Sequence, residues 1–494
     1  MTIYVLGAPG SDLEVVEEAF AATRAEPEAL GALAEDHANR FVYVYRDPVR
    51  AASRGADPQE WQSVTNALLQ ELERLAPDQW CVVDAEALAL DRGRELTRLA
   101  RFLGVEAPAV EALPESVVAA ASRARELFAA PQGALGGFES GHTRSFPQLL
   151  SGLGASVLAS TYQTGRVFAL RADGESLNTH FRLFDTPMGI AARGNRLVIG
   201  TRNAVWEYRD VPAAAPRVEP QGTHDACYVP RAAHVTGDVR IHDVDIADDG
   251  EVWCVNTRFS CLSTFDRDHS FVPRWRPPFV SALAAEDRCH LNGLALVDDG
   301  PGYVTVFAET DAAGAWREGV AASGIVMDVR TNEIVARGLC MPHSPRWHDG
   351  RLWVLESGKG ELATVDVTTG DVTTVASLPG FTRGLDFIGQ YAFIGLSQVR
   401  ETLFADAPIR AREDRACGVW AVDTVSGDVV AFVRFEGAVR EIFDVCVLPG
   451  RRYPEIVESG DHLVDTTFVL PDDALRDVPG AAPEPARRSW RSGG

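Results

Sequence analysis

Between residues 187 and 397 the chain repeats one short pattern five times, an apolar strand, a tight polar turn and a second apolar strand. Pro187–Ala192 turns at Arg193-Gly194-Asn195 into Arg196–Thr201, and His242–Ala247 turns at Asp248-Asp249-Gly250 into Glu251–Asn256. His290–Leu296 turns at Asp298-Asp299-Gly300 into Tyr303–Phe307, and His343–His348 turns at Asp349-Gly350 into Arg351–Glu356. Thr382–Phe387 turns at Gly389-Gln390 into Tyr391–Ser397. Alternating strands that recur every ~40 to 55 residues, bounded by glycine and aspartate turns, predict the blades of a β-propeller.

A sixth first strand, Phe443–Val447, stops at Pro449-Gly450 with no hairpin partner after it. The segment Ser156–Phe184 has the opposite defect, strands with no first strand before them. Joining the two completes a sixth blade and removes the open sheet edges that would invite aggregation. The predicted fold is therefore mostly β, a six-bladed β-propeller over residues 146–454, with its core between about Ser151 and Gly450.

Upstream the periodicity differs. Residues 2–6 and 41–45 are short β-rich apolar runs with a helical stretch between them, the pattern of parallel strands in a small α/β domain. Helical spacing follows over 61–75 and 92–103, the latter stopped by Gly104. A Gly, Ala, Pro and Ser-rich run marks a linker at 131–145, so the α/β domain occupies 1–130, and the Pro, Asp and Arg-rich segment 455–494 reads as a weakly ordered tail.

A formal net charge of −23 opposes binding to nucleic acid or an anionic membrane surface, leaving a small molecule or a peptide as the expected partner. The N-terminus lacks the basic and apolar regions of a signal peptide, and no apolar run is long enough to span a bilayer, so a cytoplasmic protein is expected. Eight cysteines without a CxxC pair do not make a disulfide framework; Cys289 and Cys340 read as buried core thiols before ligands or nucleophiles.

Three of the six blades begin with histidine: His242, His290 and His343. Relative to its turn, His290 sits about one residue out of register with the other two. First strands line a propeller's central funnel, so these imidazoles meet at one mouth, with Glu309, Glu356, Asp444 and Arg383 nearby as acid, base and anion-holding candidates. Three neutral imidazoles with open coordination positions suit a divalent transition metal, copper or iron before zinc. The alternative is that they tie blade to blade. Arg346 and Arg383 are each open to two roles, holding a substrate carboxylate or phosphate, or bridging blades.

The runs Cys289–Leu294, Met341–Trp347, Gly380–Leu385 and Phe443–Val445 with Leu448-Pro449-Gly450 closely resemble the DUF4915 family of uncharacterised bacterial propeller-like proteins. That resemblance implies the fold and no settled activity. A more distant similarity runs to strictosidine synthase-like and gluconolactonase-like propellers, whose cation is held by Glu, Asn and Asp. At the N-terminus, Tyr45–Ser53 resembles the sulfotransferase segment whose Arg and Ser hold the 3′-phosphate of the sulfuryl donor, and Val82–Glu86 with Leu99–Gly104 resembles that family's later strand and helix. Gly7–Asp12 stands where a phosphate loop belongs but offers Asp12, and little chain separates it from Arg46. The resemblance thus implies a degenerate, non-catalytic domain used for docking or homodimerisation.

These observations favour a metal-dependent enzyme acting in the funnel, an oxidoreductase before a hydrolase or lactonase, because hard cations prefer oxygen ligands. A non-catalytic binding or scaffolding propeller is the second class, and an active sulfotransferase with a propeller appended is the third.

Overall fold

The computed structural model describes residues 139–298, 300–398, 407–411, 415–475 and 478, together with the backbone of four N-terminal strands. Two compact units divide the chain, Met1–Ala134 and Leu135–Gly494. In the first, strands Ile3–Leu6, Thr23–Arg24, Arg40–Tyr45 and Trp80–Asp84 form one parallel sheet, with Ile3–Leu6 and Arg40–Tyr45 paired directly. The segments Gly7–Asp12, Arg46–Ser53 and Leu99–Gly104, which carry the sulfotransferase resemblance, lie outside the described residues.

The second unit is a six-bladed propeller of antiparallel sheets. Blade one takes its inner strand, Asp444–Pro449, from the end of the chain and its other three, Ala155–Thr161, Arg166–Asp173 and Ser176–Leu183, from the beginning. Closure follows the expected route, with Ala155–Thr161 pairing antiparallel with Asp444–Pro449 from the end of the chain. The other inner strands are Ile190–Arg193, Ile241–Ile246, Leu291–Val297, Pro342–His348 and Phe381–Ile388, opening blades two to six. Each pairs with the hairpin strand that follows it.

Two outer blade edges receive an added strand. Ser140–His142 pairs antiparallel with Val429–Phe435 of blade six, and Pro454–Ile456 runs parallel to Ala226–Val235 of blade two. Both fall in stretches expected to be linker or weakly ordered tail. A buried polar cluster holds the second: the Glu455 carboxylate lies 2.8 Å from Arg182, 3.1 Å from His180, 3.5 Å from His224 and 3.6 Å from Arg171. Just beyond, the short helix His462–Thr466 is capped by Asp461, whose side chain accepts the Leu463 N–H, and Leu463 is buried against Val457 and Cys227. Composition undervalued this segment because its order comes from one ionic cluster and a few apolar anchors.

Blade contacts near the axis alternate. Gly189, Gly293 and Gly384 of blades two, four and six press against the next inner strand, at Asp243-Val244, Ser344-Pro345 and Asp444-Val445. At Gly384, with φ +76°, a Cβ would come within 2.5 Å of the Val445 nitrogen, so only glycine fits both the backbone and the space. The intervening blades answer with an acceptor: Asp243 takes the Leu294 N–H, Ser344 the Gly384 N–H and Asp444 the Ile190 N–H. Each of these three contacts joins one blade to the next.

Candidate functional site

This alternation fixes which residue of each blade occupies the same slot. The residue preceding the Gly, Asp or Ser contact is Met188, His242, Asn292, His343, Arg383 and Phe443 in blades two, three, four, five, six and one. His290 is therefore displaced by two residues, and Asn292 holds the place in blade four that histidine holds in blades three and five. The position His290 does occupy is equivalent to Thr186, Arg240 and Met341, and all four have positive φ, between +51° and +55°. Left-handed backbone in a non-glycine residue is uncommon. Its recurrence here, next to a bulge in three of these blades, is a feature that strand patterning does not reveal.

The displaced imidazole nevertheless reaches the cluster. His242 and His290 have ring centroids 4.9 Å apart, and His290 stacks on Trp316 at 4.0 Å and leans on Phe307 at 4.5 Å. Phe307 meets His343 edge-on at 5.1 Å, and His343 meets Phe381 at 5.5 Å. On the far side the Arg383 guanidinium lies 3.6 Å over the Phe443 ring, which also touches His242 and Tyr162. His290 and His343 are buried, while His242 and Arg383 are partly exposed.

Each imidazole is oriented through Nδ1. That atom lies 3.1 Å from the Arg240 carbonyl in His242, 3.0 Å from the Met341 carbonyl in His343, and 3.1 Å from both carboxylate oxygens of Asp287 in His290. A carbonyl or carboxylate oxygen only accepts, so Nδ1 carries the proton and Nε2 is left with the lone pair. Burial, and then the neighbouring His290 and Arg383 charges, hold His242 well below the ordinary imidazole range; burial and Arg383 do the same to His343. His290 is lowered by burial and partly restored by Asp287. All three rings are neutral bases at neutral pH. Burial also weakens the hold of Arg383 on its proton, against the opposing charges of Tyr162, Glu441 and Asp444, and no described acidic side chain lies within salt-bridge distance of it.

Two donors near the cluster lack protein partners. Asn292 is 2% exposed; its Oδ1 accepts the Thr305 hydroxyl at 2.7 Å, but its Nδ2 has no hydrogen-bond partner. The Nε1 of Trp316, the ring stacked on His290, has none either. The sequence places Asn292 among the polar residues near the histidines without a role of its own; the signal for one is the alternation of residues before Gly293 and Gly384.

The other candidates are engaged elsewhere. Glu309 forms an exposed ion pair with Arg337 at 2.6 Å. Glu356 is buried, accepts the Cys340 N–H and pairs with Lys359 at 2.8 Å, which ties a loop in place. Arg346 bridges blades, donating to both oxygens of Asp243 and lying 3.9 Å from Asp444. Burial lowers its proton affinity, but Asp243 and Asp444 outweigh that and hold it above the usual range. Burial and then the Asp243 charge push Asp444 up to about 8, and burial raises Asp245 to about 6. Burial pushes the thiols of Cys289 and Cys340 up to about 12 and about 11, which makes them poor nucleophiles.

Among the described residues, no group of three or more His, Cys, Asp or Glu side chains is arranged to hold a metal ion. A separate depression lined by Arg193, Asp248, Leu296 and Asp298 lies at the hairpin turns, the opposite ends of the inner strands from the histidines.

Residues 144–457 match the family described as Domain of unknown function (DUF4915). No curated protein matches the chain. Among solved structures it is similar to a protein of unknown function from Bacteroides caccae, at 10% identity and TM-score 0.39 over 60% of this chain and 98% of that one. It is also similar to a chain of a nidogen/laminin complex, at 9% identity and TM-score 0.37 over 60% and 99%. A third is virginiamycin B lyase from Staphylococcus aureus, at 10% identity and TM-score 0.31 over 49% and 73%.

Proposed function

Because this chain belongs to the DUF4915 family, whose description names no activity, we propose a function from its own side chains: an enzyme that moves a proton on a small carboxylate-bearing molecule held in the propeller funnel. The observation that carries this is the facing of unlike groups. Arg383, without a salt bridge among the described residues, shares the funnel mouth with three imidazoles in one tautomer, each presenting a basic Nε2. A guanidinium holds a carboxylate with two parallel N–H bonds. The lone pairs beside it accept from ligand hydroxyls or remove a proton. His290 is the best-built base, since Asp287 sets its tautomer and supports the charge it gains. Asp444 acts beneath the site through Arg346 and does not touch a ligand.

Calorimetric titration of the full-length protein with a panel of small carboxylates tests the reading. Binding that is lost in Arg383→Gln, in a variant that keeps its thermal midpoint, is the expected result; equal affinity in both proteins rules the reading out.

One observation favours a second reading, the metal-dependent oxidoreductase with copper or iron. Three Nε2 lone pairs on one face are the nitrogen set a transition metal takes. The donor arrangement does not support a single ion shared by all three, so this reading ranks below proton transfer. Elemental analysis decides it: near one equivalent of metal in the wild type, absent after combined His242→Ala, His290→Ala and His343→Ala, would restore it. No helix among the described residues is long and apolar enough to cross a membrane. The proposal includes a cytoplasmic site of action and a small-molecule substrate, with the N-terminal unit serving for docking or homodimerisation.

A further inference from the structure

We propose that Asn292 is a specificity-determining residue of the funnel, and that it selects small carboxylates bearing a second acceptor oxygen, dicarboxylates above all. This rests on the reading of the funnel as a carboxylate site.

Asn292 stands one residue before Gly293 as Arg383 stands one residue before Gly384, and both glycines press on the next blade's inner strand. Asn292 thus occupies the position from which blades three, five and six contribute His242, His343 and Arg383. An amide here offers what those residues do not, a neutral N–H donor not already engaged by the protein. Its orientation is pinned, because Oδ1 accepts the buried Thr305 hydroxyl and directs Nδ2 away from that bond. The Nδ2 group has no protein partner although the side chain is 2% exposed. An unpartnered buried donor is costly, so a ligand oxygen that satisfies it binds about tenfold more tightly than a ligand that cannot. Trp316 Nε1, unpartnered and buried in the ring stacked on His290, adds a second neutral donor beside the cluster. With one guanidinium for the first carboxylate and two neutral donors beyond, the site complements a ligand with oxygens at both ends.

The test compares malonate, succinate and glutarate with propionate, butyrate and valerate by calorimetry on the full chain. The expected result is that at least one dicarboxylate binds wild type about tenfold more tightly than its monocarboxylate counterpart, and that Asn292→Ala erases this preference while retaining monocarboxylate binding. Asn292→Asp keeps an acceptor for Thr305 and places a carboxylate where the donor was, so it should reverse the preference. It serves as the decisive variant if the alanine protein does not fold. A preference undiminished in these variants overturns the role of Asn292 alone, provided Arg383→Gln still abolishes binding. Binding that survives Arg383→Gln, or a wild type that takes neither class, overturns the funnel reading and this inference together.

Discussion

The Nδ1 nitrogen of His290 lies 3.1 Å from both carboxylate oxygens of Asp287, three residues earlier, and the opposite constraint on the ring is the indole of Trp316 stacked at 4.0 Å. Asp287 is itself fixed, its carboxylate 3.2 Å from Arg240 and its N–H bonded to the Arg258 carbonyl. The imidazole is therefore clamped between a carboxylate that sets its tautomer and a ring that sets its plane.

Replacing Asp287 with Asn removes the charge that supports a protonated His290 while leaving burial unchanged. Burial is the larger influence and already lowers this histidine. The Asp287→Asn protein should therefore titrate His290 at a still lower pH than wild type. Histidine-selective nuclear magnetic resonance titration reads this directly. An unchanged or higher titration midpoint would show that the Asp287 contact does not govern the ring.

Stability should respond to the other two histidines. His242 and His343 are held neutral in the fold, well below the value near 6.5 that they take when unfolded. Their contribution is present above that value and is lost as pH falls toward their folded midpoints, by up to about 1.4 kcal/mol per pH unit for each. Urea unfolding at pH 7.5 and pH 5.5 should show His343→Gln losing less stability across this interval than wild type. Parallel losses in the two proteins would count against a neutral, buried His343.

The ring of blades was legible because its signals are local. Period-two strands, Asp-Gly and Gly-Gln turns and an orphan strand at Phe443 each specify a neighbour a few residues away, or one missing partner. The clustering of the three histidines was legible, the register of His290 within it only in part. His242, His343 and Arg383 follow from their place in first strands, whereas the two-residue displacement of His290 depends on a left-handed residue and an adjacent bulge. The slot that Asn292 fills, though not its nearness to the histidines, was hidden by the same displacement. Glu356 ends its strand as expected and Glu309 lies three residues past the end of Gly300–Val306, yet their carboxylates turn to Lys359 and to Arg337. Which partner a long side chain selects depends on residues brought close only by the fold.

Glu455 should anchor the strand added to blade two. Its carboxylate faces Arg171, His180, Arg182 and His224 in a buried setting, and the His and Arg contacts hold it ionised against the cost of burial. Glu455→Ala leaves buried cationic groups without their counter-charge, which typically costs about 3–5 kcal/mol. Hydrogen exchange should show lost protection at Pro454–Ile456 and its neighbour Ala226–Val235 before other blades change. Uniform loss across all six blades would instead mean that the strand is not a separable element.

Asp444 closes the ring, since it sits on the C-terminal inner strand of blade one and its carboxylate accepts the Ile190 N–H of blade two at 2.9 Å. Asp444→Ala orphans that buried N–H, so at pH 7 it should cost about 1–3 kcal/mol. Asp444→Asn keeps an acceptor for Ile190 and should cost less. The two also differ from wild type in pH response. Burial and the charge of Asp243 push the carboxyl up to about 8, above its unfolded value. The native state therefore takes up a proton first, and stability gained through Asp444 grows as pH falls from about 8 toward the unfolded midpoint near 4. Guanidinium unfolding at pH 8.5, 7 and 5.5 should show wild type gaining on Asp444→Asn at each step toward acid. If the two profiles run parallel, the carboxyl does not titrate in this window, and the Asp243 and Arg346 charges balance it more closely than its surroundings indicate.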